Sequence, residues 1–340
     1  MKNSVKILSL FLVLFLLAAG SVFSAPKPLE DLQNSVTTFS ESIATALPFN
    51  STIGLNWSDA YIGQLLGIPP HFGVGFSVGA TFLKIGSMEK LMQMVDAPIG
   101  NLPVSLPLPG YTLEGRIGGI VLPFDAGFKV GVIPADSLKL LDAFGLGLDY
   151  LLVGGDFRYP LLKGGVFPLK VSVGLGVNHI NGGISKTIPT GIPSFTFDDP
   201  HPLGGSYTLA MSDPTLGLRW KTTCMEVKAQ ASFPLIIITP YAGIGLGYAW
   251  SEAGYKIDSK ITVNDDPVDN NASVKKLLKD VFGVTSVDNN GIESMVKVNN
   301  MNFRVYGGFS FNIVVIKLDF TAMYNFQESY GFTFGTRFQL

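Results

Sequence analysis

The carboxyl-terminal segment Tyr330-Gly-Phe-Thr-Phe-Gly-Thr-Arg-Phe-Gln-Leu340 decides the fold, because its residues alternate between two chemical kinds. Successive side chains of a β-strand point to opposite faces of the sheet. Small or polar residues occupy one face, and the other face carries, besides Thr336, the residues Tyr330, Phe332, Phe334, Phe338 and Leu340. A strand with such an aromatic face needs an apolar medium on that side. The alternative is the last strand of a water-soluble β-sandwich.

The amino-terminal residues have the composition of an export signal. Lys2 and Lys6 precede an almost unbroken apolar run from residue 7 to residue 19, and small residues follow it. This pattern predicts a secretory signal peptide over residues 1–24, with cleavage after Gly20 as the alternative. The single cysteine, Cys224, lies far from this site, so it offers no lipid attachment point there and cannot form an internal disulfide.

The composition of the whole chain points to a membrane. Its mean hydropathy is +0.35 and only 15% of its residues are charged, against about a quarter in ordinary soluble domains. Beyond the signal, no run approaches the roughly 18 apolar residues of a spanning helix, and in lipid only helices and closed barrels satisfy their backbone groups. An all-β, antiparallel transmembrane β-barrel is therefore expected. The formal net charge of −2 gives no basic excess that would indicate nucleic acid.

Alternation with a period of two recurs along most of the chain. It predicts ten clear strands, near 71–82, 111–121, 124–132, 144–159, 168–179, 215–233, 240–262, 301–312, 314–326 and 330–340. A further strand is expected near 51–60. Because an even number places both ends of a barrel on one side, we expect about 12 strands, within a range of about 10 to 14. The twelfth would come from a turn at 222–224 or 250–255, and a bulge is expected at Gly154-Gly155.

These features together resemble bacterial outer-membrane β-barrel proteins. The closing strand and the alternation of short with long connections carry the resemblance, and the glycine-rich strands with an N-terminal helix loosely resemble long-chain fatty-acid transporters. The resemblance implies secretion across the inner membrane and residence in outer-membrane lipid. It also implies a barrel-assembly machinery that reads the aromatic face of the closing strand as its signal.

An amphipathic helix is predicted over residues 28–47, within an N-terminal segment of residues 25–48 that precedes the barrel of residues 49–340. Its apolar stripe follows helical spacing and consists of Leu29, Leu32, Val36, Phe39 and Ile43. Such a helix either plugs the barrel lumen or lies in the periplasm. Short helices are also expected in the external loops at 87–95, 136–143 and 274–282, the last with Ser273 as its N-cap.

Charged residues on the inward face form the candidate functional set. By parity they are Glu114, Arg116, Asp125, Lys129, Asp149, Lys170, Arg219, Lys221, Glu226, Lys228, Arg304, Lys317, Asp319 and Arg337. They predict either a charged pore constriction or a network of salt bridges that fills the lumen. In either case the charges should be paired, because an unpaired buried charge costs several kcal/mol.

The sequence offers little for catalysis or cofactor binding. His71, His179 and His201 lack a nucleophile at a suitable distance, and the acidic stretches 264–270 and 288–291 lack the spacing of a calcium loop. We therefore expect no enzyme activity, no cofactor and no metal. Two functions remain: a channel or facilitator for small solutes, hydrophobic ones included, or a closed structural or host-interaction barrel that serves as an adhesin or surface antigen.

Overall fold

The computed structural model describes residues 27–67, 70–84, 105–133, 147–187, 192–198, 206–282, 285–327 and 329–340. In chain order, these contain helix α1 (Lys27–Asn50), β1 (Phe72–Lys84), β2 (Ser105–Gly118), β3 (Asp125–Ile133), β4 (Gly147–Lys163), β5 (Lys170–Thr187), β6 (Ile192–Asp198), β7 (Ser206–Ser232), β8 (Ile238–Val263), β9 (Asp266–Pro267), helix α2 (Ala272–Phe282), β10 (Ser286–Asp288), β11 (Gly291–Ile313), β12 (Ile316–Asn325) and β13 (Ser329–Gln339). A single 3-10 turn, Val268–Asn270, lies between β9 and α2.

The described strands close into one antiparallel barrel. The order around the ring is β1-β2-β3-β4-β5-β7-β8-β11-β12-β13, and β13 pairs again with β1, from Gly73↔Gln339 to Phe82↔Tyr330. The ring therefore has ten strands, while β6, β9 and β10 pair with β7, β8 and β11 outside it. Closure leaves no free strand edge in the ring, which is the usual solution to edge pairing.

The expected all-β, antiparallel barrel with accompanying helices is confirmed, but the count of twelve is wrong. The ten segments with clear alternation are the ten ring strands. Residues 51–60 form no strand, and β7 and β8 run unbroken through the two positions where a turn was expected. Long strands can therefore contain a change of face chemistry without a turn.

The bulge expected at Gly154-Gly155 is also wrong. The pairing of β4 with both neighbours is continuous there, so Tyr150 and Leu152 lie on the same inner face as Asp156. What changes along the strand is the chemistry of that face, which is charged near one end of the barrel and apolar towards the other. The same change explains why Trp220 is buried whereas Met225 faces outwards.

The two ends of the barrel differ strongly. Short turns join the strands at the end where β1 begins and β13 ends, which we call the turn end. At the opposite loop end, β7, β8 and β11 are 27, 26 and 23 residues long. The small strands outside the ring and helix α2 are attached there.

Helix α2 packs against β10 and the 3-10 turn at the loop end. Its first turn is capped by Asn271, whose side-chain oxygen accepts a hydrogen bond from Val274 N–H at 3.0 Å. The predicted cap, Ser273, is instead inside the helix, because the stronger Asx cap two residues earlier starts the helix sooner. Val274 and Leu278 are buried beneath it. The other two expected loop helices, 87–95 and 136–143, lie outside the described residues.

Helix α1 lies against the inner wall. It contacts β7, β8, β11, β1 and β2, and inward-facing Asn300 donates a hydrogen bond to the carbonyl of Thr45 at 3.1 Å. Phe39, Ile43 and Leu47 on its apolar side are buried. In the described ranges, no helix combines the length and hydrophobicity needed to cross a membrane.

Candidate functional site

The chain that follows α1 occupies the lumen and forms the centre of the candidate site. We call residues 51–62 the lumen segment. Gly54 and Leu55 adopt positive φ angles of 84° and 58°, a conformation that is uncommon for a residue such as leucine. The resulting turn directs the Leu55 N–H to the Glu114 carboxylate at 2.8 Å, and the same carboxylate accepts the Trp57 indole N–H at 2.6 Å. An inward charge therefore holds the segment in this conformation.

Asp59 is the charged hub of the lumen segment. Its carboxylate lies 2.5 Å from Lys317, 3.0 Å from Arg337 and 3.9 Å from Lys170, and it accepts a hydrogen bond from Gln339 at 3.2 Å. Burial alone raises the pKa of this carboxyl, but the three basic neighbours outweigh burial and hold the pKa well below its usual range. Asp59 is therefore ionised, and it links three strands of the barrel wall.

A cluster of five charges lies beside this hub on the wall itself. Arg116 contacts Asp125 at 2.5 Å and Asp156 at 2.7 Å, Arg158 contacts Asp125 at 2.8 Å, and Lys228 is paired with Asp156. All five side chains are buried. Each charge has an opposite partner, which is the condition under which buried charges are tolerated.

The same cluster also binds the lumen segment. Arg158 donates a hydrogen bond to the carbonyl of Asp59 at 2.7 Å, and Asp125 accepts one from Ile62 N–H at 3.2 Å. The wall charges therefore satisfy backbone groups of the segment as well as one another. This arrangement meets the requirement that buried backbone polar groups be paired.

Two further wall charges complete the contacts. Lys129 donates hydrogen bonds to the carbonyls of Ser51 and Ile53, at 2.8 and 2.6 Å. Arg304 forms a two-pronged pair with Glu226, at 2.6 and 2.9 Å. Such charge-assisted hydrogen bonds are among the stronger ones in proteins, so the segment is fixed from several sides.

Trp57 is the aromatic anchor of the segment. The guanidinium groups of Arg337 and Arg116 lie 4.8 and 5.6 Å from its ring centroid, within the range of a cation–π attraction. Its backbone carbonyl accepts a hydrogen bond from Gln230 at 2.7 Å. The ring therefore fills the space between the two arginines.

A separate apolar level lines the inner face nearer the loop end. Tyr150, Leu152 and Ile180 form a buried cluster there, and Trp220 faces Tyr150 across the strand between them. The indole N–H of Trp220 has no hydrogen-bond partner among the described atoms. This level of the inner face is therefore apolar, and it contains a buried indole N–H without a hydrogen-bond partner among the described residues.

Most of the predicted inward charges face the lumen. Buried or partly buried there are Glu114, Arg116, Asp125, Lys129, Lys170, Glu226, Lys228, Arg304, Lys317, Asp319 and Arg337. The prediction needs correction for Asp149, Arg219 and Lys221, which have the opposite parity. Lys221 is exposed between buried Trp220 and Thr222, and the Asp149–Arg219 pair is about a third exposed near the loop end.

Sequence reasoning missed three central charges. Asp156 and Arg158 were hidden by the assumed bulge, although they alternate with the outward Phe157 and Tyr159 and could have been found from that alternation. Asp59 was missed because 51–60 was read as a strand. The signal against a strand was Asp59 itself, which interrupts the apolar face formed by Ile53, Leu55 and Trp57.

The aromatic face of the closing strand points outwards. Tyr330, Phe332, Phe334 and Phe338 are exposed, while Thr333 and Arg337 between them are buried. Leu340 follows the end of β13, and its N–H donates to the carbonyl of Phe72 at 3.0 Å. The chain end is thereby joined to the first strand.

Two of the three histidines considered for chemistry lie within the described residues. His179 contacts Thr223 at 2.9 Å and His71 contacts the carbonyl of Leu340 at 3.3 Å, whereas His201 lies outside the described residues. Within the part of the chain that the structure describes, no group of three potential metal ligands comes together. Of the apolar stripe predicted on the N-terminal helix, Phe39 and Ile43 are buried. The side chains of Leu29, Leu32 and Val36 lie outside the described residues.

A closed antiparallel barrel with an apolar exterior and a polar interior is the architecture of bacterial outer-membrane β-barrel proteins, so the resemblance seen in the sequence is confirmed. The Lsa36-like family matches residues 101–340. The chain belongs to this family. A search of curated proteins gave no significant match.

Solved structures share only the general architecture. The attachment invasion locus protein Ail of Yersinia pestis is 8% identical, with 79% of this chain and 97% of that chain covered and a TM-score of 0.29. A major outer membrane protein of Thermus thermophilus is 11% identical, with 78% and 99% covered and a TM-score of 0.28. The toluene transporter TbuX of Ralstonia pickettii is 9% identical, with 79% and 89% covered and a TM-score of 0.24. Likeness this remote carries no function to the present chain.

Proposed function

We propose that this protein is an outer-membrane β-barrel that its own N-terminal residues keep closed, and that it acts through the structure at its loop end. The supporting observation is the bonding of the lumen segment. Its backbone and its Asp59 side chain bind wall residues on β2, β3, β4, β7, β12 and β13. A segment bonded to so many strands would keep the lumen blocked.

The long strands at the loop end supply the acting surface under this proposal. There β7, β8 and β11 extend beyond the outer apolar band, and α2 packs against β10 and the 3-10 turn. Lys297 on β11 is three-quarters exposed and Glu252 lies beside it at 3.4 Å. Such a rigid, polar platform suits an interaction with a macromolecule outside the cell, as in an adhesin or surface antigen.

Single-channel recording tests the closed state. Mature protein of residues 25–340, refolded into planar bilayers, should show almost no conductance, while a variant lacking residues 27–62 should show discrete open steps. A steadily open pore in the mature protein would refute the proposal.

Impermeant maleimide should label Lys297→Cys on intact cells in a Cys224→Ser background, and failure to label it would contradict the outward position of the loop end.

A second candidate, a facilitator for small hydrophobic solutes, is favoured by the join between β2 and β3. Their pairing stops at Leu113↔Val130 although both strands continue, and the Tyr111 hydroxyl bridges the gap to the backbone of Val132. The apolar level around Tyr150 lies directly behind it, with the two tyrosine rings stacked at 5.7 Å. Saturable binding of a hydrophobic dye that is altered by Tyr150→Ala would support this role, and no binding would remove it.

A further inference from the structure

The turns at the turn end have an unusual composition. The four turns are Gly119-Ile-Val-Leu-Pro-Phe124, Gly164-Gly-Val-Phe-Pro-Leu169, Phe233-Pro-Leu-Ile-Ile237 and Val314-Val315, and none carries a polar side chain. We call these four turns the apolar rim. Turns in water favour asparagine, aspartate, serine and glycine, and the β8–β9 turn at the loop end, Asn264-Asp265, follows that rule. Exposure to water therefore does not explain the composition of the rim.

The tips of the rim are fully uncovered by the rest of the chain. Val121 is 80% exposed, Ile236 96% and Val314 94%. Large contiguous apolar surfaces on a folded protein mark contact with a membrane or a partner. The rim turns join eight of the ten ring strands at this end, and Gln64 beside the first of them donates a hydrogen bond to Val121 O at 2.9 Å. A partner of the rim must therefore contact four turns spread around most of the end of the barrel.

We propose that the apolar rim contacts lipid acyl chains, so that the barrel has no water-exposed collar at its turn end. This inference rests on the membrane placement in the proposed function. Lipid is the occupant chosen because the rim continues the outer apolar face of the strands without a polar break. On β8 and the turn before it, every outward side chain from Ile236 to Trp250 is aliphatic or aromatic.

The length of this surface agrees with a bilayer. The stretch from residue 236 to residue 246 spans about 25 Å along the barrel axis, at about 3.3 Å per residue and a tilt of about 40°. The outward apolar band of outer-membrane barrels is about 25 Å tall and is flanked by aromatic residues, which correspond here to Tyr248 and Trp250. Above Trp250 the outward side chains become Glu252, Lys256 and Asp258, so the upper boundary is fixed and the lower one falls at the rim.

The backbone of the rim is suited to an apolar medium, in which unpaired N–H groups are costly. Gly119 N–H donates to Phe124 O at 2.6 Å, Leu235 N–H to Ile238 O at 2.9 Å, and Asn312 N–H to Ile237 O at 2.7 Å. Prolines at 123, 168 and 234 have no N–H to satisfy. Lys163, just before the second turn, pairs with Lys170, whose ammonium group bonds the carbonyl of Tyr61 in the lumen, so it does not belong to the outer face.

Lipid quenching tests the inference. Single cysteines are introduced as Ile236→Cys and Val314→Cys in a Cys224→Ser background, labelled with bimane and refolded as the full mature chain into vesicles of acyl-brominated phosphatidylcholine. Val227→Cys, in the middle of the outer band, is the matched control for lipid contact, and Lys297→Cys is the control for water. We expect quenching at 236 and 314 within about twofold of that at 227, and none at 297.

Different results would contradict the lipid contact of the rim and the membrane placement of the barrel. Quenching at 227 with none at 236 and 314, together with quenching of those two by aqueous iodide, would overturn the inference and leave membrane insertion standing. Protection of 236 and 314 from both quenchers would indicate a protein partner or second copy and would also overturn it. Absence of quenching at 227 would refute the membrane placement itself.

Discussion

At the scale of single residues, Asp59 is the most consequential side chain of the lumen. It binds Lys317 and Arg337 and lies near Lys170, all at the interior of the barrel. Asp59→Asn leaves these cations without their carboxylate, and breaking a buried pair in this way costs about 3–5 kcal/mol. The variant should unfold in detergent at a clearly lower temperature than the wild type. Asp269→Asn, which removes an exposed loop pair with Lys275, is the control and should change the unfolding temperature little.

The pH dependence of the same residue has a defined sign. Because the folded-state pKa of Asp59 is lowered, its contribution to stability is complete above the unfolded-state pKa of about 3.9 and is lost as the pH falls through the folded-state value. The lumen segment should therefore remain protected from protease at pH 5 and become cleavable only below about pH 4. The Asp59→Asn variant lacks this contribution at every pH and should already be cleavable at pH 5, and equal protection of both proteins at pH 5 would count against the assignment.

At the scale of elements, the closing strand β13 joins the last part of the ring to its first strand, β1. Phe338 faces outwards opposite Val74 on β1 and Ile316 on β12, where burial of a phenylalanine in lipid contributes about 1.5–3 kcal/mol. Phe338→Asp should abolish assembly into the membrane, as measured by the folded fraction on unheated gels, while Phe338→Leu should be tolerated. Inward Gln339→Ser removes hydrogen bonds to Asp59 and Arg337 but leaves the outward face unchanged, so its effect on assembly should be small. Equal loss in all three would contradict the parity of the strand.

Alternation in the sequence predicts the ring strands correctly but not the lumen segment or the charges near the loop end. Alternation identified the ten ring strands, because one face of each is buried in the barrel and the other is exposed and apolar. It failed for residues 51–60, where Ile53, Leu55 and Trp57 alternate although the segment has no strand partner. It failed again at Asp149 and Lys221, because the inner face becomes apolar near the loop end and the polar residues there point outwards. Periodicity reports only a difference between faces; whether the inner face is the polar one or the apolar one depends on the depth in the barrel.

At the scale of the whole molecule, closure and filling are coupled. The ring is closed by backbone pairing, and the lumen segment supplies partners for wall charges that no neighbouring strand satisfies, such as Lys129. A barrel of this kind should unfold as one unit, since the loss of the segment uncovers charges and the loss of closure releases the segment. Under the proposed membrane placement, the outer face by contrast depends on lipid or detergent for its stability.

This coupling predicts the behaviour of the intact protein in fractionation. The apolar exterior requires a membrane and the paired backbone resists detergent, so the protein should be recovered in the outer-membrane fraction and should migrate differently on gels before and after heating in dodecyl sulfate. A chain lacking residues 329–340 cannot close the ring and should show one heat-independent band. Recovery of native full-length protein in the soluble periplasmic fraction would contradict the placement, because the exposed ring of Phe332, Phe334 and their neighbours would then have to lie in water.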